Sequence, residues 1–246
     1  MKGVKGVILA GGIGLRLSPL TDVTNKHLLP IYKKPMIFYP IEKLVQAGLT
    51  EIMIVTGGPH AGHFLKVLGN GRKFGLKDIH YTYQEGEGGI AAALALTENF
   101  ADGGRVVAVL GDNLFQQDLK PGLFRFMDQS EGARVFLKEV SDPERFGVAE
   151  VRGDQVIGTE EKPKNPKSNL AVTGVYMFDN RVFDIIRTMK PSARGEMEVT
   201  DIINDYIRRQ KLGWEKLNGW WTDAGTFDTL LRANQIIAQS ENAPVV

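Results

Sequence analysis

Apolar residues along this chain fall into short runs separated by glycine-bounded turns. Residues 7–10, 51–56 and 106–110 are nearly continuous apolar runs, the pattern of strands buried on both faces. Residues 79–83 alternate and predict another strand. Between these runs the spacing predicts helices over 36–47, ending at Gly48 as its C′ residue, over 60–68, closed by Gly69 and Gly71, and over the small-residue stretch 89–98. Pro30 and Pro35 hold an extended connection before the first of these helices. Strands alternating with helices at this spacing imply parallel βαβ units, hence a doubly wound sheet in the first half.

The second half changes character. Residues 133–140 and 171–178 read as strands, and 147–151 with 155–160 read as a hairpin around Gly153-Asp154. Helices are expected over 181–189, 199–209 and 227–239, with a short strand over 214–217 and a frayed end over 240–246. Phe38, Tyr39, Phe124 and Phe126 lie on helices and belong to the core rather than to a cofactor platform. No long linker, low-complexity tract or repeat interrupts the chain, so 1–240 is read as one domain with a tail at 241–246.

The first strand runs into Gly11, Gly12 and Gly14, with Arg16 just beyond and Lys26 ten residues further on. Converging backbone N–H groups in such a loop form an anion nest, and flanking cations suit a polyphosphate. The competing reading is a plain glycine-rich turn. A Walker loop is excluded because no Gly-Lys-Ser/Thr occurs, and the spacing is not that of a dinucleotide fingerprint.

Leu110-Gly111-Asp112-Asn113 places a carboxylate after the most hydrophobic strand, at the rim where open α/β sheets bind ligands. Asp112 is there either a ligand of Mg²⁺, which takes one or two carboxylates and leaves its other positions to water and phosphate, or a turn cap. Asp223, in Trp220-Trp221-Thr222-Asp223-Ala224-Gly225-Thr226, is a second metal ligand or an N-cap, and Thr226 suits the capping role better. Lys162 could reach a phosphate and Glu161 sugar hydroxyls, although a charged cluster at a turn is ordinarily solvated. Arg194, a lone loop arginine, reads as surface, and the histidines show no metal spacing.

Composition narrows the classes further. A net charge of +1 over 246 residues argues against a broad nucleic-acid footprint. The absence of cysteine removes disulfides, thiol catalysis and Cys-based metal sites. No signal-peptide pattern and no apolar stretch near the roughly 18 residues of a membrane span occur, so a soluble cytoplasmic protein is expected.

Taken in order, LAGGIGLRL, NKHLLPIYKKPMIFYPI, VLGDN, DPERFGV, EEKPKNPKSNLAVTGVY, KPSARGEMEVTDI and GWWTDAGTFDTL resemble the sugar-phosphate nucleotidyltransferases, from Lys5 to about Ile237. Within that family they resemble the branch that acts on dTTP and glucose 1-phosphate. The resemblance implies an α/β fold, a three-layer, doubly wound, mixed but mainly parallel Rossmann-like sheet with a hairpin-rich sugar-binding subdomain. Residues 1–130 would form the nucleotide-binding half and 131–240 the sugar-phosphate half. The implied reaction is in-line attack of the sugar phosphate on the α-phosphorus, giving dTDP-glucose and pyrophosphate without a covalent intermediate.

By the same resemblance Gly11, Gly12 and Gly14 supply the phosphate loop, and Arg16 and Lys26 hold the triphosphate. Gln84 and Gly89 line the base, with Leu9 beside it. Asp112 and Asp223 bind Mg²⁺. Lys162 and Arg194 hold the sugar phosphate, Gly147, Glu161 and Val172 face the sugar, and Tyr176 lies in that pocket. The chain departs from the pattern at Ile13, Leu15, His27, Gly88 and Ala92. It resembles a short form without the C-terminal helical segment of longer relatives, so their tetrameric assembly and inhibition by dTDP-rhamnose carry over only weakly; a homo-oligomer is still expected. UTP or another hexose 1-phosphate, or a weakly catalytic nucleotide-sugar sensor, are the alternative readings, because one methyl group is worth only about 1–3 kcal/mol of selectivity.

Overall fold

A computed structural model describes residues 3–242 of the chain. The strand β1 (Val4–Ala10) is followed by two short strands, β2 (Pro30–Ile31) and β3 (Lys34–Pro35), and by helix α1 (Phe38–Gln46). Then come β4 (Glu51–Gly57), α2 (Ala61–Leu68), β5 (Asp78–Gln84), α3 (Gly89–Ala95), α4 (Glu98–Ala101), β6 (Arg105–Leu110), β7 (Asn113–Phe115) and α5 (Lys120–Asp128). The second half contains β8 (Ala133–Glu139), β9 (Gly147–Arg152), β10 (Gln155–Glu161), β11 (Leu170–Phe178), α6 (Arg181–Thr188), α7 (Val199–Arg208), β12 (Leu212–Lys216), β13 (Trp221–Asp223) and α8 (Phe227–Asn242).

Among the described residues the main sheet has nine strands, and it is mixed and mainly parallel. Strands β6, β1, β4 and β5 lie side by side and all parallel, as the alternation of strands and helices requires. The long strand β11 runs antiparallel to them. Its C-terminal half pairs with β6, its start meets β9 through Ala171 and Val148, and its other edge pairs with β8. The hairpin β9–β10 forms around Gly153, whose φ of 58° is the left-handed conformation a tight hairpin needs. β12 pairs parallel with β8 and closes that edge.

Successive residues of β1 point to opposite faces, and each face is covered. Val7 and Leu9 share one core with Leu94 of α3, Ile186 of α6 and Ile203 of α7. Ile8 and Ala10 pack under α1, α2 and α5, against Ile41, Phe64 and Leu123. This double burial is the reason the central strands carry no polar alternation. A third, smaller core seats α8 on the ribbon β7–β13 through Leu114, Ala224, Ala233 and Ile237.

Several local expectations need correction. The helix expected over 89–98 is two pieces, because the buried Thr97 turns its hydroxyl to Leu94 O (2.7 Å) and its backbone leaves the helical region. The sequence sets no bounds for helix α5, to which Phe124 and Phe126 belong; Pro121 lies in its first turn, where proline costs no hydrogen bond. The last helix continues through the expected frayed residues 240–242; the rest of the expected tail, 243–246, lies outside the described residues. The ribbon β7–β13 was not expected, since three-residue strands paired across a hundred residues leave no periodic signal. Among the described residues no helix is long and apolar enough to cross a membrane.

The C-terminal end of β4 touches the glycine loop after β1. A Cβ on Gly57 would sit 2.5 Å from Gly11 O and 3.0 Å from Gly11 Cα. Gly57→Ala is therefore expected to displace the loop backbone, costing about 1–3 kcal/mol by overpacking. A urea titration should show the lower midpoint.

Candidate functional site

The carboxyl ends of β1 and β6 are neighbours, with Leu9 opposite Leu110 in register. Everything that leaves those two strand ends is therefore delivered to one rim, the rim where open α/β sheets place ligands. From β1 comes the glycine loop. Gly14 has φ 77° and opens a short 3₁₀ turn, Leu15–Leu17, that carries Arg16; a side chain at Gly14 would meet Lys26 Cβ at 2.9 Å. The next 3₁₀ turn, Lys26–Leu28, is capped by Asn25, whose Oδ1 accepts from His27 N (3.0 Å) and from His27 Nδ1 (2.7 Å).

From β6 comes Asp112. Its Oδ2 receives Lys26 Nζ at 2.6 Å and its Oδ1 receives Asn113 Nδ2 at 3.0 Å, so it does not cap the turn. Burial alone would raise the Asp112 pKa. The Lys26 ammonium and the hydrogen bonds from Lys26 and Asn113 reverse that and hold the carboxyl well below the usual range. His27 is fully enclosed, and burial with the adjacent Lys26 charge lowers its pKa from 6.5 to about 3, so the ring is neutral.

The β7–β13 ribbon brings Asp223 to the same place. Asp223 lies opposite Asn113, and Ala224 N–H donates to Asp112 O (2.8 Å). Thr226 Oγ1 accepts from Thr229 N (3.3 Å) at the start of α8, so the capping role falls to Thr226 and leaves Asp223 free of it. Burial raises the Asp223 pKa, with Asp112 adding to the rise and Arg145 opposing it. Arg16 Nη2 and Asp223 Oδ2 both come close to Gly225, at 3.1 and 3.4 Å from where a Cβ would be.

Two cavities open from this rim. The first, about 270 Å³, is lined by Leu9, Gly11, Gly12, Lys26, Gln84, Gly89 and Asp112. Gln84 arches over the loop, its Oε1 2.3 Å from where a Cβ on Gly11 would lie, and its Nε2 donates to Gly89 O (3.3 Å). A side chain at position 11 would push the end of Gln84 aside. The second cavity, about 440 Å³, is lined by Arg16, Gly147, Glu161, Lys162, Val172, Tyr176 and Asp223, again with Asp112. Ile90, Leu110 and Asp112 line both, so the cavities meet at the end of β6.

Lys162 is held at φ 43°, a left-handed conformation that costs a non-glycine residue about 1 kcal/mol or more. Its N–H donates to Phe146 O (2.9 Å), which ties it to the strand end at Gly147. Beside it Glu161 has a raised pKa, through burial first and the nearby Glu198 carboxylate second, against Lys162 and Arg194. Tyr176 is likewise pushed up by burial, with Glu161 and Asp112 adding to it.

Two of the residues singled out in the sequence line neither cavity. Gly14 shapes the turn behind Lys26. Arg194 sits on the rim, paired with Glu196 (2.8 Å), Glu198 (3.4 Å) and Glu161 (3.5 Å). Arg16 lines the second cavity, not the first where the glycine loop lies. Sequence reasoning also missed Asn113 and Arg145. Asn113 stands directly after Asp112, and its Oδ1 accepts from Gly174 N (3.0 Å) and Trp221 Nε1 (2.8 Å), joining β7 to β11 and β13. Arg145 lies inside the DPERFGV motif, and its Nη2 reaches Asp223 Oδ2 at 3.2 Å.

The donor set fits a divalent cation of the hard, oxygen-seeking kind. Asp112 and Asp223 offer carboxylates into one cavity, while among the described residues no set of three or more acidic or histidine side chains forms a ready-made cage. Such an ion would need phosphate and water to complete its shell, as Mg²⁺ does.

The chain matches the model of the nucleotidyl transferase family over residues 5–240. It is 41% identical over 243 residues to a glucose-1-phosphate thymidylyltransferase of Neisseria meningitidis, covering 97% of this chain and 84% of that protein. To the protein of the same name from Xanthomonas campestris it is 42% identical over 237 residues, covering 95% and 80%. Among solved structures it superposes with a TM-score of 0.91 and 52% identity on a putative glucose-1-phosphate thymidylyltransferase from Bacillus anthracis in complex with sucrose, covering 95% and 94%. A UDP-glucose pyrophosphorylase complexed with UDP-glucose shares the fold, with a TM-score of 0.82 at 24% identity and coverage of 96% and 98%.

The buried His27 makes stability pH-dependent. Its pKa lies near 3 in the folded chain against 6.5 when unfolded. Below 6.5 the unfolded chain gains a proton that the native chain refuses until about 3, so the contribution is present above 6.5 and is lost as pH falls. The slope approaches about 1.4 kcal/mol per pH unit within that window. Urea midpoints measured from pH 7 to 4 should fall in the wild type and fall less in His27→Gln.

Proposed function

The chain belongs to the nucleotidyl transferase family, and we propose that it is the member that transfers a thymidylyl group from dTTP to glucose 1-phosphate, giving dTDP-glucose and pyrophosphate. The observation that carries this reading is the meeting of the two cavities at Asp112, with cations on both sides of it. Curated relatives at 40–42% identity across most of the chain are named for that reaction.

In this reading the first cavity takes the nucleotide and the second the sugar phosphate, so residues 1–130 and 131–240 each contribute one substrate site. Backbone N–H groups of Gly11 and Gly12 and the Lys26 ammonium hold the triphosphate. Leu9, Gln84 and Gly89 enclose the base. Lys162 and Arg194 bind the sugar phosphate, Gly147, Glu161 and Val172 contact the sugar, and Tyr176 forms the pocket floor. Arg16 faces the reacting phosphates from the sugar side, which suits neutralisation of charge on the group in transfer. A divalent cation, here Mg²⁺, held by Asp112 and Asp223 supplies further neutralisation of phosphate charge when bound.

The protein's task in phosphoryl transfer is alignment and charge stabilisation, with little covalent chemistry. The attacking group is already an anion, so no general base is needed. Preplaced cations in a cleft partly shielded from water are worth far more than in bulk solvent. The reaction belongs where nucleoside triphosphates are found, the cytoplasm, and its product suits deoxysugar and polysaccharide synthesis. A homo-oligomer belongs to the same reading, while the resemblance to a short form carries over the tetrameric assembly of longer relatives and their inhibition by dTDP-rhamnose only weakly.

Pyrophosphate release with dTTP, glucose 1-phosphate and Mg²⁺ tests the proposal, with UTP and other hexose 1-phosphates run in parallel. Robust turnover of dTTP and glucose 1-phosphate is expected; release only with another pair would redirect the assignment. Lys162→Ala should lower kcat/KM by about 10²–10³-fold, the usual cost of losing one charged transition-state contact, while its circular dichroism spectrum stays native.

A further inference from the structure

Two carboxylates facing one cleft repel each other, and each of these already has a cation against it. Lys26 Nζ lies 2.6 Å from Asp112 Oδ2. Arg145 Nη2 lies 3.2 Å from Asp223 Oδ2 and 3.4 Å from its Oδ1. The phosphates of the nucleotide give Lys26 a second partner. Arg145 lines the second cavity beside Asp223, and the proposed function gives it no substrate contact.

Its surroundings show how firmly it is aimed. Arg145 ends the 3₁₀ turn Pro143–Arg145, and its Nη1 donates to Asp142 Oδ2 at 2.7 Å. The guanidinium lies over the Phe146 ring, 5.1 Å from its centroid. Phe146 in turn packs edge-on against Trp221, two residues before Asp223. The same arginine forms part of the wall between the sugar-side cavity and an outer cavity of about 550 Å³. Its side chain is 34% exposed, so an incoming anion can reach it.

A bare divalent cation approaching Asp223 meets this fixed positive charge, and at Asp112 it meets another. To bind both carboxylates it must displace two charge-assisted hydrogen bonds and leave two cations unpaired, at a cost in a low-dielectric cleft. A cation that arrives with phosphate brings replacement partners for both. We propose that Arg145 is a positioning residue that occupies Asp223 in place of the metal and releases it only when a phosphate anion accompanies the cation. The free protein therefore binds a bare divalent cation poorly, and the metal enters together with phosphate. This rests on the reading of Asp112 and Asp223 as the metal-binding pair.

Mn²⁺ serves as the probe, with free ion counted by electron paramagnetic resonance in titrations of the full chain without nucleotide. Arg145→Gln should bind Mn²⁺ about tenfold or more tightly than wild type, since one fixed positive charge is removed from the site. Arg145→Lys, which keeps the charge, should stay close to wild type. Arg145→Met, which keeps the stem against Phe146, should show the same gain as Arg145→Gln and serves if the glutamine variant does not fold. Adding Asp223→Asn to either neutral variant should abolish the gain. Unchanged or weaker Mn²⁺ binding in a folded neutral variant, an equal gain in Arg145→Lys, or a gain that survives Asp223→Asn would each overturn the proposal. Failure of wild type to turn over dTTP and glucose 1-phosphate would instead strike the substrate assignment and leave the Mn²⁺ result standing.

Discussion

The contact on which the rest depends is the ion pair between Lys26 and Asp112. Both side chains are nearly enclosed, at 13% and 14% exposure. Burying either charge alone would cost several kcal/mol, and breaking such a pair by removing one partner costs about 3–5 kcal/mol. The pair links the segment leaving β1 to the segment leaving β6, two strands that are neighbours in a parallel sheet. It therefore fixes the glycine loop relative to the acidic rim before any ligand is present. Asn25 and His27 brace it from behind: Asn25 holds the His27 ring, and the neutral ring fills the space beside Gly111, where a Cβ would fall 2.7 Å from His27 Cδ2.

Asn113 performs the matching service for the second half of the molecule. One amide group bonds Asp112, the backbone of Gly174 on β11 and the indole of Trp221 on β13. Gly174 must be glycine for this, because a Cβ there would lie 2.6 Å from Asn113 Cγ. A single buried side chain thus sets the distance between the nucleotide-side rim, the sugar-side strand and the segment carrying Asp223. Leaving any of its buried partners unsatisfied would cost about 1–3 kcal/mol each, so the arrangement is rigid by construction.

The parts of this molecule that could be read from sequence are those with a local signature. The runs 7–10, 51–56 and 106–110 are strands because burial on both faces leaves no polar alternation, and Gly48 ends α1 at φ 92° as a C′ glycine should. Candidate chemistry at Gly11, Gly12 and Asp112 is legible because these residues follow strand ends, whereas Lys26 shows only as a second cation ten residues beyond Arg16. What stayed hidden was pairing at a distance. That Asp112 and Asp223 share a cavity depends on the β7–β13 ribbon, two strands of three residues each whose pairing no periodicity announces. Arg145 was legible only as part of a motif, since its partner lies 78 residues away. Thr97 broke a helix through a side-chain hydrogen bond that propensity does not register.

The loop between α6 and α7 shows why the two cavities are best regarded as one machine. Met197 N donates to Gly88 O (2.9 Å), and Ala91 N donates to Met197 O (3.2 Å), so the loop backbone clips onto the start of α3 beside the first cavity. A side chain at Gly89 would strike Met197 O at 2.7 Å, which makes glycine obligatory at that contact. The neighbouring Glu196 lines the first cavity, while Arg194 pairs with Glu161, which lines the second. Arg194 is balanced among three carboxylates, and none of the three pairs with it at full strength in solvent at 38% exposure. The loop that carries Arg194 is the same loop that clips onto the start of α3. The loop thus joins the wall of the first cavity to a residue of the second through contiguous hydrogen bonds and ion pairs.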